Sequence, residues 1–552
     1  MWFNSIYLKT LRDSRIAILG WGLGIGLLLY VVLSAVPSLM ATPEARAAIV
    51  SVAGAYSWLA EPIKVDTPGG YATFKYGFTI LIIVLWPLLV GSRMLRGEEE
   101  RGSLDVLLSL PRGRGRVALE KLAAMWTALL GMGLLIGLLA FAGGQGVSAG
   151  FGLVDALLYG LNITLICALF GSIALWISQF TQERGAAAGW TAGLLLVSIV
   201  LDMVHRVIPN TEWLSRISPV YYYNLSRPLI PGYSADLSAM LLMLALSILL
   251  SGVAIWLFVR RDVGGTVAVL GWLRQPERTI QPERALPVRA WSLRSVYTRS
   301  LRMIALPTFW WTLGIAGFAA CMVAIVKQSE SQLITLSQSS PILKAWISST
   351  GGGDLAVVTI LSALFAFLPL LLMAFAVTQA NRWSADEEDG RLELILSTPH
   401  PRLQVLLGRF AALTTATVII GLLTLAATAL TSTATGLKLD GGNLTAATLS
   451  IIPLGLLMAA IGYLFSGWLS TALETGLLSF LLVIWFFISF ISPELISLWH
   501  LPDAIVRFSA FYYYGTPLLH GLPLADMLGV LTVAILALIL ASVRFVHKDI
   551  AY

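Results

Sequence analysis

This sequence is poor in charge. Only 12% of its 552 residues are Asp, Glu, Lys or Arg, while 57% are hydrophobic, more than a water-soluble fold of this length can hide. The two cysteines, Cys167 and Cys321, sit in apolar runs in different halves and read as small packing residues, with no disulfide framework. Five histidines are scattered at His205, His400, His500, His520 and His547, without the H-E-x-x-H or paired-cysteine spacing of a metal site. No G-x-x-x-x-G-K-[ST] stretch occurs, so the chain has no phosphate-cradling loop of its own. The net charge of +6 comes with no basic patch interleaved with aromatics. Lys and Arg collected in cytoplasmic loops explain it without nucleic acid.

Long apolar runs are what the sequence has instead. Runs of roughly 20 residues, the length that crosses a hydrocarbon core, stand near 16–36, 74–92, 117–142, 153–177, 187–208 and 237–259. A second set stands near 307–326, 357–378, 405–430, 446–468, 474–496 and 524–546. About twelve transmembrane helices in an all-α polytopic fold follow, as two parallel six-helix repeats. The first repeat covers 1–261 and the second 291–552. Between them 262–290 alternates Pro276, Pro282 and Pro287 with arginines, the composition of a cytoplasmic linker without a core.

Basic residues set the expected orientation. Lys9, Arg12 and Arg15 precede the first run, Arg93, Arg96, Arg112, Arg114, Arg116 and Lys121 lie between the second and third, and Arg260 and Arg261 follow the sixth. All fall on one side if both termini are cytoplasmic and the chain sits in a bacterial-type cell membrane. Residues 2–15 carry Trp2, Phe3, Ile6, Tyr7 and Leu11 at helical spacing, which predicts an interfacial helix separate from the first span. Gly20, Gly22, Gly24 and Gly26, then Gly133 and Gly137, predict close helix packing. Tyr221, Tyr222 and Tyr223 suit a headgroup-level belt.

The chain repeats itself. EEERGSLDVLLSLP, Glu98 to Pro111, returns as DEEDGRLELILSTP, Asp386 to Pro399, 288 residues further on; SIYLKTLR at Ser5 returns as SVYTRSLR at Ser295, and FVRRDV at Phe258 as FVHKDI at Phe545. Six spans separate equivalent points, so the halves share one orientation. Read as one helix over Gly97 to Leu110, the loop places Leu104, Leu107 and Leu108 on a stripe and Glu98, Glu99 and Glu100 in the first turn, with Pro111 as the stop. Asp386, Glu387, Glu388, Leu392, Ile395, Leu396 and Pro399 do the same in the second copy. A greasy face with an acidic end fits a groove lined with apolar and basic groups.

The order E-E-x-x-G-x-L-[DE]-x-[LI]-L-S-x-P between the second and third spans of a six-span unit resembles the signature of type-2 exporter permeases of the ATP-binding-cassette superfamily. The fused twelve-span form is similar to the antibiotic-efflux branch, often labelled exporters of polyketide-type antibiotics. The resemblance implies that the short helix is a coupling helix seated in a cytoplasmic ATPase subunit. By position Glu98, Glu99, Gly102, Leu104, Asp105, Leu107, Leu108 and Pro111 carry that role, with Glu387, Glu388, Gly390, Leu392, Glu393, Leu396 and Pro399 in the second copy. Glu183 and Glu474, between fourth and fifth spans, form a possible second contact. The implied partners are two copies of the ATPase, which would hold ATP and Mg while this chain holds no cofactor, together with membrane lipids and the transported molecule. The implied mechanism is alternating access along a pathway between the halves.

Two other classes fit less well. A secondary transporter usually carries ionisable groups within its spans, and these runs are nearly free of them. A membrane-embedded lipid-modifying enzyme would need a nucleophile and base, and none cluster in sequence. Trp86, Trp190, Trp310, Phe375 and Trp485 suit an apolar or amphipathic cargo better than an ion, with a hydrophobic drug, a polyketide and a lipid all left open; the antibiotic is what the resemblance implies.

Overall fold

The computed structural model describes residues 5–548 apart from 58–59, 78–79, 101, 110–112, 148, 183, 209, 268–290, 292–293, 329, 331–355, 389 and 491–503. Among the described residues the regular structure is helical, with no strand. Among the described residues ten helices are long and apolar enough to cross a membrane. They coincide with ten of the twelve expected runs. The other two, near 74–92 and 474–496, hold the shorter apolar helices Ile82–Arg93 and Leu473–Ser489. Most of the expected linker lies outside the described residues.

The chain divides near residue 280 into two compact units, and the same neighbours pack in each. In the first, Ile6–Leu39 lies along Arg114–Gln145, and Leu153–Ile177 packs on Ile80–Arg93, Arg114–Gln145 and Leu237–Arg260. In the second, Val296–Gln328 lies along Arg402–Thr435, and Ile451–Ser466 packs on Phe367–Glu388 and Leu524–His547. The fourth apolar helix of each unit is therefore central. Two-thirds of its apolar window is buried, against about a third for the sixth, 33% and 28%.

Glycine sets the closest approaches. A Cβ on Gly133 would stand 2.0 Å from Thr164 Oγ1 and 2.5 Å from the Gly160 carbonyl oxygen, so only glycine lets these two helices meet. Gly22 and Gly26 seat Leu135 and Leu139 in the same way, whereas Gly20 and Gly24 face open space. Four of the six expected packing glycines, Gly22, Gly26, Gly133 and Gly137, do that work.

The expected separate interfacial helix is corrected. Ser5 caps a single helix, Ile6–Leu39, by accepting from the Leu8 N–H, and the helix runs on without a break. Nothing between Ser5 and the first span removes a backbone donor, since the one internal proline, Pro37, sits in the last turn. Its 34 residues extend about 50 Å at 1.5 Å per residue, well beyond a hydrocarbon core of about 30 Å. Its first turns are anchored on Arg114–Gln145: Glu120 Oε2 accepts from the Ile6 N–H at 2.9 Å, and the Tyr7 hydroxyl meets Thr127 Oγ1 at 3.2 Å.

Candidate functional site

Glycine divides each copy of the repeated loop. Gly102 has φ 68° and Gly390 φ 69°, a left-handed conformation that costs other residues roughly 1–2 kcal/mol. The first copy is accordingly two short helices, Arg96–Glu100 and Ser103–Leu108, and the second is the end of Phe367–Glu388 followed by Arg391–Leu396. The expected single helix with acids in its first turn is corrected. The acids precede the turn, and a separate short helix follows it.

Side-chain environments follow from that turn. Leu104 and Leu392 are fully buried and Ile395 nearly so, while Leu107, Leu108 and Leu396 are half-buried. Asp105 and Glu393 are exposed. Val106 is 71% exposed and Leu394 73%, the two most exposed large apolar side chains among the described residues. They stand at equivalent positions of the two copies. The expected stripe Leu104, Leu107 and Leu108 thus faces partly inward, and the outward apolar residue is the one between.

The acids are held within the chain's own fold. Arg96 Nη1 donates to Glu99 Oε2 at 2.7 Å, and Arg261 Nη2 donates to Oε1 and Oε2 at 2.7 and 2.8 Å. Only 2% of the Glu99 side chain is exposed. Both arginines also donate to the Gly265 carbonyl, at 2.9 and 2.8 Å, and Arg261 Nε donates to Gln179 Oε1 at 3.0 Å. Burial, and then the charge of Arg261, pulls the Arg96 guanidinium below its ordinary pKa, with Glu99 and Glu100 acting against them. Glu98 pairs with Lys121, and Glu100 with Arg184 at 3.5 Å. In the second copy Asp386 pairs with Arg409 at 2.7 Å and Glu387 with Lys548 at 2.6 Å. An acidic end free to meet a basic groove is therefore corrected at Glu98, Glu99 and Glu387: these carboxylates are occupied by the chain's own cations.

Two family models between them match nearly the whole chain. The model described as ABC-2 family transporter protein matches residues 4–263, and that described as the C-terminal domain of the multidrug efflux system permease Rv1217c matches 293–545. The chain belongs to the ABC-2 transporter permeases. Curated relatives are named as ABC transporter permeases: a probable ABC transporter permease protein NosY of Pseudomonas aeruginosa is 28% identical over 241 residues, 40% of this chain and 82% of the relative. A probable NosY of Stutzerimonas stutzeri is 27% identical over 243 residues, 39% of this chain and 80% of the relative. With its apolar helices, the ABC-2 permease is a multi-pass membrane protein.

Of the other residues singled out in this ABC-2 permease, Pro111 and Glu183 lie outside the described residues. Pro399 is exposed beyond the end of Arg391–Leu396, and Glu388 closes the helix before the glycine turn. Glu474 is corrected as a surface contact: it is fully buried in the first turn of Thr471–Phe490 and engages the Ser384 hydroxyl. The five aromatics do not share one environment. Phe375, Trp86 and Trp485 are buried, whereas Trp190 and Trp310 are exposed at 52% and 40%. Tyr223 is buried and Tyr221 and Tyr222 half-buried.

Sequence reasoning missed Val106, Leu394, Arg261 and Lys548. The signal for the last two was present, since FVRRDV and FVHKDI place a cation at one position of both halves.

Proposed function

We propose that this ABC-2 permease exports an apolar or amphipathic small molecule of drug or antibiotic type, by alternating access powered by ATP hydrolysis in two copies of a separate ATPase. ATP and Mg are held in that partner, and the chain works in a bacterial-type cell membrane with both termini cytoplasmic. The observation that carries the reading is the pair of exposed helices Ser103–Leu108 and Arg391–Leu396. Each presents an outward apolar residue, Val106 or Leu394, beside an exposed acid, Asp105 or Glu393. Large apolar side chains left in water at two equivalent points fit seating in a pair of partner clefts. On this reading contact falls to Gly102, Asp105, Val106, Leu107 and Leu108, and to Gly390, Glu393, Leu394, Leu396 and Pro399. The buried Leu104 and Leu392 hold the short helices to the fold. The paired acids Glu98, Glu99 and Glu387 do the same.

The test is transport in inverted membrane vesicles from cells co-expressing the chain with the reading frames encoded beside it, using Hoechst 33342 as an amphipathic probe. ATP-dependent accumulation that survives collapse of the proton gradient is expected. Accumulation that needs the gradient and ignores ATP would point to an ion-coupled transporter instead.

A further inference from the structure

Polar contacts around the two glycine-turn loops recur at matched positions. Glu98 pairs with Lys121 as Asp386 does with Arg409, and Glu99 with Arg261 as Glu387 does with Lys548. Arg114 Nη1 donates to the Arg261 carbonyl at 3.1 Å, and Arg402 Nη1 to the Lys548 carbonyl at 2.7 Å. The Ser178 carbonyl accepts from Arg96 Nε at 3.3 Å and the equivalent Ser466 carbonyl from Lys548 Nζ at 3.1 Å, so here the acceptor recurs and the donor does not. Every contact lies within its own unit. Each segment before an exposed helix is thus tied to the start of the helix that follows it and to the end of the unit's closing helix, Leu237–Arg260 or Leu524–His547.

We infer that Arg261 and Lys548 are positioning residues that yoke each exposed helix to the closing helix of its own unit. A push on Ser103–Leu108 or Arg391–Leu396 is then passed to a long span instead of being absorbed by the glycine turn. Gly102 and Gly390 supply a pivot on one side of each acid cluster, and only a rigid tie on the other side makes such a pivot useful. The inference rests on the exposed helices receiving force from a partner, as proposed above. The two yokes differ in strength. Glu99 is gripped by two arginines with its side chain 2% exposed, whereas Glu387 meets one lysine with 21% of its side chain exposed.

The experiment has two arms. In the first, hydrogen exchange is followed on the full chain in nanodiscs without any ATPase. Arg261→Gln should speed exchange over 96–109 on the order of a hundredfold, as for an opened buried pair, and leave 386–396 unchanged. Lys548→Gln should speed 386–396 on the order of fivefold, as for a partly exposed pair. The swap Glu387→Lys with Lys548→Glu should restore part of the protection, the ion pair returning without the bond to the Ser466 carbonyl, which keeps the test decisive if Arg261→Gln does not fold. In the second arm, on the assembled complex in a Cys167→Ala, Cys321→Ala background, ATP should change the maleimide-labelling rate of His547→Cys, and Lys548→Gln should abolish that change while ATPase recovery stays constant. Unaltered exchange in the single variants, or an ATP response that survives Lys548→Gln, overturns the yoke. Failure to recover an ATPase with the wild type would instead count against the function proposed above, and the first arm would still decide the tie itself.

Discussion

Replacing Val106 with Asp should separate docking from folding. The side chain is 71% exposed, so within the chain little holds it, and a surface substitution there should change stability by no more than about 0.5 kcal/mol. Seating a Val side chain in an apolar cleft gains about 1.5–3 kcal/mol when burial is complete. With most of the side chain still in water, roughly 1–2 kcal/mol remains to be gained from a partner, and a carboxylate there both forfeits that and adds a desolvation cost. At about 1.4 kcal/mol per tenfold, Val106→Asp should weaken ATPase binding by at least about five- to thirtyfold. Leu394→Asp should do the same at the second site, and the double variant should lose the partner. The assay is quantitative recovery of co-expressed ATPase on the tagged permease, with size-exclusion profile and membrane yield as folding controls. Unchanged recovery from the double variant would refute the reasoning. So would a loss of recovery that merely tracks loss of folded permease.

Leu104→Asp provides the contrast: the side chain is fully buried, and membrane yield should fall before any question of docking arises, as scored by fluorescence of a C-terminal fusion. Gly102→Ala and Gly390→Ala force a left-handed φ on a residue with a Cβ, at about 1 kcal/mol each; ATPase recovery should drop several-fold with the thermal transition nearly unmoved. Gly133→Val places branched atoms where even a Cβ would stand 2.0 Å from Thr164 Oγ1, and a clearly lowered transition temperature in detergent should follow. Phe375→Ala, at a fully buried site, should cost about 3–5 kcal/mol, whereas Trp190→Ala at 52% exposure should leave the melting curve near wild type.

The spans were legible because apolar length is a local property. So was the duplication, because fourteen residues repeat in nearly the same order. The course of the motif loop was not legible, for a reason that lies in one residue type. A glycine among helix formers reads as a tolerated interruption, and only φ 68° and 69° reveal a turn. Leu104, Leu107 and Leu108 keep one face within Ser103–Leu108, but after the turn at Gly102 that face lies toward the chain's own fold, which leaves Leu104 buried and Val106 exposed. The pairing of the acids was not legible for a different reason. Glu99 meets Arg261 across 162 residues, and nothing local to E-E-E-R says that its carboxylates are already occupied. Alignment of the two halves held that information, in Lys121 against Arg409 and Arg261 against Lys548. Glu474, conspicuous as an acid in an apolar stretch, turned inward to Ser384.

The central claim is that this permease works as the membrane half of an ATP-driven machine. It is tested most directly by the intact mass of the complex purified in mild detergent after co-expression with the reading frames encoded beside it. One copy of the chain with two copies of a Walker-motif protein is the predicted result. A permease recovered alone, repeatedly and still transporting without ATP, would contradict it.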